Sequence, residues 1–287
     1  RQRLDVWLVE HNYFESRQQA QRAIQAGEVL LNERIMDKPG MQVSGDFTVR
    51  VKVRPAYVSR GGEKLAGALK DFEIEVGDRI CLDGGIYTGG FTDCLLKHGA
   101  KHVYGVDVGY GQVAWSLQTD ERVTVKERTN LRHLTPDELY GAEFPLEQWP
   151  TLTTVDVSFI SLTKVLPALW PLLASPREAV LLVKPQFEAG RERIGKKGVV
   201  RDPNVQAEAI ANVLNSAKEL GWHYWGATWS PAPGPAGNIE FLLWLKDEVG
   251  KEDPSLAEFK QLVKQARAAL KVADDGGNQT LTGKAGL

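Results

Sequence analysis

Apolar and polar positions alternate with two different periods along this chain. The first 55 residues are short-range and mixed. Residues 3–10 place Leu4, Trp7 and Leu8 on one helical stripe. Ser16 reads as the cap of a second helix that Gly27 ends. Its apolar face is Ala20, Ala23 and Ile24, and its polar face is Arg17, Gln18, Gln21 and Arg22. Two strand-like runs follow, Val29–Asn32 and Phe47–Val53, with the turn residues Asp37, Lys38, Pro39 and Gly40 between them. Arg54–Gly62 reads as a linker closed by a turn, and Glu63–Phe72 as a helix opened by Lys64.

After residue 78 strands and helices alternate. Apolar runs at Ile80–Leu82, His102–Val108, Arg122–Arg128, Leu152–Phe159 and Ala179–Val183 are separated by helical patterns. The last of these runs is almost continuously apolar, as in a strand buried on both faces. Further helices are expected at Val113–Leu117, at Leu162–Leu173 with a proline kink, and from Pro203, capped by Asp202, to about Leu220. A loop or short helix is expected over 135–150. Two closing strands, Tyr224–Trp229 and Ile239–Leu245, flank a Pro/Gly turn and predict an antiparallel pair at one sheet edge. This pattern predicts a doubly wound α/β domain. An amphipathic helix over 254–272 and a disordered tail from Ala273 complete the chain.

The stretch Arg79–Leu95 carries the first chemical signal. A strand ends at Asp83, glycines follow at 84, 85, 89 and 90, and a helical pattern begins near Phe91. Such a turn lets a ligand approach bare backbone at a helix start. Asp107, about two dozen residues later, suits the hydroxyls of a ribose. Thr129 and Asn130 end the next strand, at a third ligand-facing position. These features predict a nucleoside-containing cofactor and leave a nicotinamide and a methyl donor both open. The spacing Gly-x-Gly-x-x-Gly is missing, which weighs against the nicotinamide. Asp156 and Lys184 present charge at two further strand ends. A lysine there either snorkels to solvent or, desolvated, serves as a base.

Charge and cysteine content refine the picture. The net charge is −2, but residues 1–60 hold 10 Lys/Arg against 7 Asp/Glu, a basic head on an acidic body. A basic head fits nucleic-acid contact. Its polar helix face is either simply solvated or an RNA-binding surface. Residues 191–201 form a second basic segment. Cys81 and Cys94 lie in apolar surroundings and read as buried, reduced thiols of a cytoplasmic protein. The longest apolar stretch, Val165–Ala174, is ten residues with two prolines, too short to span a membrane. His11, His98, His102, His133 and His223 are scattered, so no metal site is expected.

Seven motifs occur in order: Ser-Arg-Gly-Gly-Glu-Lys64-Leu, Asp83-x-Gly-x-x-Thr-Gly-Gly-Phe, Gly-Val-Asp107-Val-Gly-Tyr-Gly-Gln, Glu-Arg-Thr-Asn130, Asp156-Val-Ser-Phe-Ile-Ser, Val-Lys184-Pro-Gln-Phe-Glu and Gly-Asn-Ile-Glu240-Phe. Together they resemble the TlyA/hemolysin A family of rRNA methyltransferases, allied to the FtsJ (RrmJ-type) 2′-O-methyltransferases, over nearly the whole chain to about residue 246. The resemblance implies an S4-like α+β RNA-binding domain over 1–54 and a linker over 55–62. It further implies a Rossmann-like class I methyltransferase domain over 63–250, with a mostly parallel seven-stranded sheet and an antiparallel edge. A C-terminal helix over 251–272 and the tail 273–287 would follow. It implies S-adenosyl-L-methionine as cofactor and ribosomal RNA, at cytidine, as substrate. A catalytic tetrad of Lys64, Asp156, Lys184 and Glu240 is implied by motif. Lys184 would deprotonate or position the 2′-hydroxyl, Asp156 would orient it, and Lys64 and Glu240 would hold the attacking geometry. The cofactor residues would be Asp83, Gly84, Gly85, Tyr87, Thr88, Gly89, Gly90, Phe91, Asp107, Val108, Asn130 and Asp156. Expected RNA contacts are Arg3, Arg17, Gln18, Arg22, Arg60, Arg191, Arg193, Lys196, Lys197 and Arg201. An RNA-binding protein without turnover and a pore-forming hemolysin are the competing expectations. Relatives carry a small residue where this chain has Tyr87. A phenol there would either fill part of the methionine pocket or swing out. In either case Tyr87→Ser is expected to raise cofactor affinity.

Overall fold

In the computed structural model of the chain, residues 2–14, 16–52 and 55–276 are described, with side chains as far as Leu270. They form two compact units, Arg1–Pro55 and Ala56–Val272.

In the small unit, β1 (Gln2–Arg3) leads into α1 (Leu4–Glu10), and α2 (Arg17–Gln25) follows. Ser16 caps α2 by accepting the Gln19 N–H at 3.3 Å. Leu4, Leu8, Ala20, Ala23 and Ile24 from the two helices bury against Val29, Leu31 and Val43. The sheet is richer than the sequence pattern predicts. Strand β2 (Val29–Leu31) pairs with β5 (Val49–Val51) as expected, but also with β3 (Arg34–Met36). Asn32 and Glu33 both take positive φ, 49° and 65°, as a two-residue hairpin turn requires. Glu33 stands where such turns usually show glycine, so the hairpin is hidden in the sequence. A short β4 (Gln42–Val43) pairs with β1.

The large unit opens with α3 (Gly61–Phe72), which starts three residues before Lys64 rather than at it. The preceding segment, expected as a linker, is tied down. Val58 N–H donates to Asp93 Oδ2 at 2.8 Å, and Lys97 Nζ donates to the Ala56 carbonyl at 2.6 Å. Then come β6 (Ile80–Gly84), α4 (Gly90–Lys97), β7 (His102–Val106), α5 (Trp115–Gln118), β8 (Val123–Lys126), α6 (Pro136–Tyr140), β9 (Leu152–Val155) and α7 (Leu162–Leu169). They are followed by β10 (Glu178–Val183), α8 (Pro185–Glu188), α9 (Pro203–Glu219), β11 (His223–Trp229), β12 (Phe241–Lys246) and α10 (Leu256–Gly276). Residues 273–276, read as tail, continue α10; the remainder of the expected tail, 277–287, lies outside the described residues.

Seven strands form one sheet in the order β11-β12-β10-β9-β6-β7-β8. All neighbours are parallel except β12, which runs antiparallel to both β10 and β11. Strand β10 shows why its run is continuously apolar. Ala179, Leu181 and Val183 join the core under α7 and α9, while Val180 and Leu182 join the core under α3 and α4. Both faces are covered, so both sets of alternate positions must be apolar. The order of connection reverses between β6 and β9, and a crevice opens at the carboxyl ends there. Cys81 and Cys94 are buried free thiols, each pushed up to about 12 by burial, and are chemically inert for that reason.

Candidate active site

The glycine turn after β6 packs directly on the end of β9. Gly85 has φ +83°, and a Cβ there would lie 2.1 Å from the Asp156 carbonyl oxygen. The turn likewise meets the start of α3: a Cβ on Gly90 would lie 2.3 Å from Ser59 Oγ and 2.8 Å from the Gly62 nitrogen. A small cleft results, lined by Ser59, Gly61, Gly85, Ile86, Tyr87, Thr88, Gly90, Phe91 and Asp156. Thr88 Oγ1 is buried in it without a partner. Ser59, Gly61 and Ile86 are additions to the expected residues. Ser59 and Gly61 belong to Ser59–Gly62, which reads in sequence as the end of a linker, and only its two glycines signal a close approach; Ile86 lies within the glycine turn itself.

The carboxylates at the strand ends divide by environment. Asp107 Oδ2 accepts the Tyr87 N–H at 2.8 Å and its Oδ1 accepts the Gly109 N–H at 2.7 Å. It therefore clamps the turn to β7, and each oxygen keeps a lone pair for a further donor. Asp83 does not present charge to a ligand, contrary to expectation. It is fully buried, Oδ2 accepts from Thr92 Oγ1 at 2.6 Å, and Oδ1 has no partner. Burial pushes its carboxyl up to about 7, the Thr92 hydroxyl opposing and Asp156 and Asp107 adding to the rise. Gly84 ends β6, Gly89 closes the turn before α4, and Val108 stands 69% exposed beside Asp107. Phe91 is packed in the core and also lines the cleft. Asn130 accepts the Arg132 N–H at 3.0 Å and so caps a short 3-10 turn beyond β8.

The four residues of the expected tetrad occur as two ion pairs. Lys184 Nζ lies 2.6 Å from Asp156 Oδ1 and donates to Ser158 Oγ at 3.0 Å. Asp156 follows β9 rather than lying within it, because the strand stops at Val155. Lys64 Nζ lies 2.5 Å from Glu240 Oε2, with both side chains almost wholly buried. Glu240 Oε1 has no partner. Lys64 follows Gly61 by three residues and shares its side of α3, so this pair stands next to the cleft that Gly61 lines.

Large exposed side chains surround the strand ends. Phe159 is 91% exposed at φ +64°, with its ring 5.1 Å from that of Phe187. Sequence reading placed it inside a strand, where an aromatic would be buried. Tyr110 is exposed under the Arg128 guanidinium, 4.1 Å from the ring centre, and Trp115 is exposed at the start of α5. Tyr87 is 58% exposed at φ +50°, so the phenol swings out and does not fill the cleft.

The expected RNA-contacting residues fall into two groups. Gln18, Arg22, Arg60, Arg191, Lys196, Lys197 and Arg201 are exposed. Three arginines are instead held by carboxylates. Arg3 and Arg17 reach the fully buried Asp5 at 2.9 and 3.0 Å, and Gln21 joins them at 2.7 Å. The Arg3 hydrogen bonds, outweighing burial and helped by Gln21 and Arg17, hold the Asp5 carboxyl well below the usual range. Arg193 pairs with Glu208.

Comparison with known proteins gives a consistent picture. The FtsJ-like methyltransferase family matches residues 57–247, and the S4 domain matches residues 2–46. The chain is 49% identical over 276 residues to YqxC of Bacillus subtilis, named as a candidate rRNA methyltransferase, covering 94% of this chain and 96% of that protein. It is 47% identical over 253 residues to TlyA of Mycobacterium tuberculosis, named a 16S/23S rRNA (cytidine-2′-O)-methyltransferase, covering 88% and 92%. A solved structure from Streptococcus thermophilus, described as a candidate hemolysin, superposes with a TM-score of 0.72 at 40% identity, covering 96% of this chain and 98% of that one.

Proposed function

The chain belongs to the FtsJ-like methyltransferase family, and on that premise we propose that it methylates the ribose 2′-hydroxyl of cytidine in ribosomal RNA, with S-adenosyl-L-methionine as donor. One observation carries the reading: Asp156 both lines the cleft beneath the glycine turn and pairs with Lys184 at 2.6 Å. The cofactor cleft and the lysine that follows β10 thus share a residue.

The residues present fit the cofactor. Gly85 and Gly90 leave the cradle that a Cβ would fill, Thr88 Oγ1 is buried and unpartnered, and Asp107 retains acceptor capacity for ribose hydroxyls. When bound, S-adenosylmethionine supplies an electrophilic methyl group on a sulfonium. A sugar hydroxyl is a weak nucleophile, so the protein's task is alignment and proton removal. Asp156 and Ser158 occupy two of the three directions at Lys184 Nζ. The third is left for O2′, whose proton passes to the Lys184–Asp156 pair as the new O–C bond forms and the sulfonium C–S bond breaks. The Lys64–Glu240 pair holds the start of α3 against the end of the sheet, fixing the wall opposite. Phe159, backed by Phe187, offers a flat face on which a base taken out of its stack can rest. Gln18, Arg22, Arg60 and the exposed members of 191–201 supply phosphate contacts, in a cytoplasmic protein working on ribosomal subunits.

Among the described residues no helix is long and apolar enough to cross a membrane. The test is a map of 2′-O-methyl groups on ribosomal RNA with and without the protein. A protein-dependent cytidine that disappears with Lys184→Ala supports the proposal. An unchanged map, with RNA still bound, would leave an RNA-binding protein without turnover.

A further inference from the structure

The loops that carry Asp156 and Lys184 are joined by a ladder of contacts leading away from the cleft. Its first rung is the Lys184 ammonium, held by Asp156 at 2.6 Å and Ser158 at 3.0 Å. Its second is the ring pair Phe159–Phe187, with centres 5.1 Å apart. The last rung is Glu188. Its Oε2 lies 2.5 Å from Ser161 Oγ, and its Oε1 accepts the Leu162 N–H at 2.8 Å. Leu162 is the first residue of α7, and its N–H has no intrahelical acceptor. A carboxyl from the last residue of α8, the short turn of helix after Lys184, therefore closes the helix that ends the Asp156 loop.

We propose that Glu188 is a positioning residue for the methyl-transfer site, clamping the two loops so that Lys184 stays on Asp156 and Phe159 stays outward. The proposal rests on the reading of Lys184 as the group that acts on the ribose hydroxyl. Backbone strain supports it. Phe159 is a bulky residue at φ +64°, a conformation that persists only where the surroundings over-determine it. The ladder fixes the chain on both sides of Phe159, at Ser158 and at Ser161–Leu162. Burial pushes the Glu188 carboxyl up, with Ser161 and Leu162 opposing, so the pocket accommodates a neutral group of the same shape. Glutamine has that shape. It can accept from Leu162 and donate to Ser161.

Single-turnover methyl transfer to unmodified ribosomal subunits, at saturating S-adenosylmethionine, tests the clamp. Glu188→Ala should lower the rate roughly tenfold to a hundredfold, the scale set by a misplacement of about 1 Å. Cofactor affinity should be unchanged, and Glu188→Gln should recover most of the rate. Should Glu188→Ala fail to fold, Glu188→Asp withdraws the carboxyl from Ser161 and Leu162 by one methylene, leaves the Ser161 cap on the Thr163 N–H in place, and should show a smaller loss of the same kind. A full single-turnover rate in these variants, with only the melting temperature lowered, would reduce Glu188 to a helix cap and overturn the proposal. Equal losses in Glu188→Gln and Glu188→Ala would overturn it too, since the clamp needs shape rather than charge. Lys184→Ala, measured alongside, separates the two readings. If it retains the rate, the role of Lys184 fails and the clamp with it. If it is inactive while Glu188→Ala is normal, the clamp alone fails.

Discussion

Gly85→Ala should damage both stability and cofactor binding, for a reason that can be worked from the geometry. Alanine at φ +83° carries a left-handed penalty of about 1–2 kcal/mol. Its methyl would also stand 2.1 Å from the Asp156 carbonyl oxygen and 2.9 Å from the carbonyl carbon. Both atoms are backbone, so the clash is relieved only by parting the turn from the end of β9. Backbone shifts of this kind cost about 1–3 kcal/mol more. For a unit of this size, a total of about 3 kcal/mol lowers the melting temperature by roughly 10 °C. Gly237 supplies the control. It has φ +92° with nothing within 4 Å of its Cβ, so Gly237→Ala carries a positive-φ penalty without a clash. Thermal melts of both variants, with calorimetry of S-adenosylmethionine binding, should show Gly85→Ala melting well below Gly237→Ala and binding at least tenfold more weakly (a loss of about 1.4 kcal/mol). Equal melting temperatures together with wild-type affinity would refute the packing of turn on strand end.

Other consequences can be checked independently. Asp83 has its folded-state pKa raised to about 7, so its protonated form is the stable one when buried. Between about pH 4 and pH 7 the unfolded chain releases this proton and the folded chain keeps it, so stability falls with rising pH, by up to ~4 kcal/mol for this group. Asp83→Asn should flatten that slope in denaturant titrations; an unaltered slope would count against a buried, raised carboxyl. Arg22→Glu should weaken RNA binding and reduce its salt dependence by about one to two counterions while sparing cofactor affinity. Arg17→Glu is a different experiment, because it also strips a partner from the buried Asp5 and should lower the stability of the small unit. Tyr87→Ser, expected from sequence to raise S-adenosylmethionine affinity, should leave it unchanged, because the side chain is more than half exposed; a clear gain by calorimetry would bear out the sequence expectation.

Much of this architecture can be read before any coordinates. The continuous apolar run of β10, the caps at Ser16 and Asp202, and the glycine turn after Asp83 each have one local cause, and each occurs where that cause predicts. The harder cases depend on partners distant in sequence. Asp83 and Asp107 look alike as carboxylates ending strands. Only the neighbours reveal that Thr92 and the core bury the first while backbone amides hold the second at the surface. Arg3 and Arg17 look like free cations until Asp5 is seen folded between them. Phe159 has the pattern of a strand aromatic, and nothing local indicates that β9 ends four residues earlier. The pairing within the tetrad is also non-local. Lys64 and Glu240 lie 176 positions apart, and the sheet order, with β12 inserted beside β10, brings them together.

The central claim is that the methyl group goes to ribose O2′ by way of Lys184. It is tested most directly by transferring a radiolabelled methyl from S-adenosylmethionine to ribosomal RNA and digesting the product in alkali. A 2′-O-methyl removes the hydroxyl that alkali needs, so the label should emerge in an alkali-resistant dinucleotide with wild-type protein and be lost with Lys184→Ala. Label recovered in mononucleotides would place the methyl on a base, and equal labelling by Lys184→Ala would remove the lysine from the reaction; either result would contradict the account.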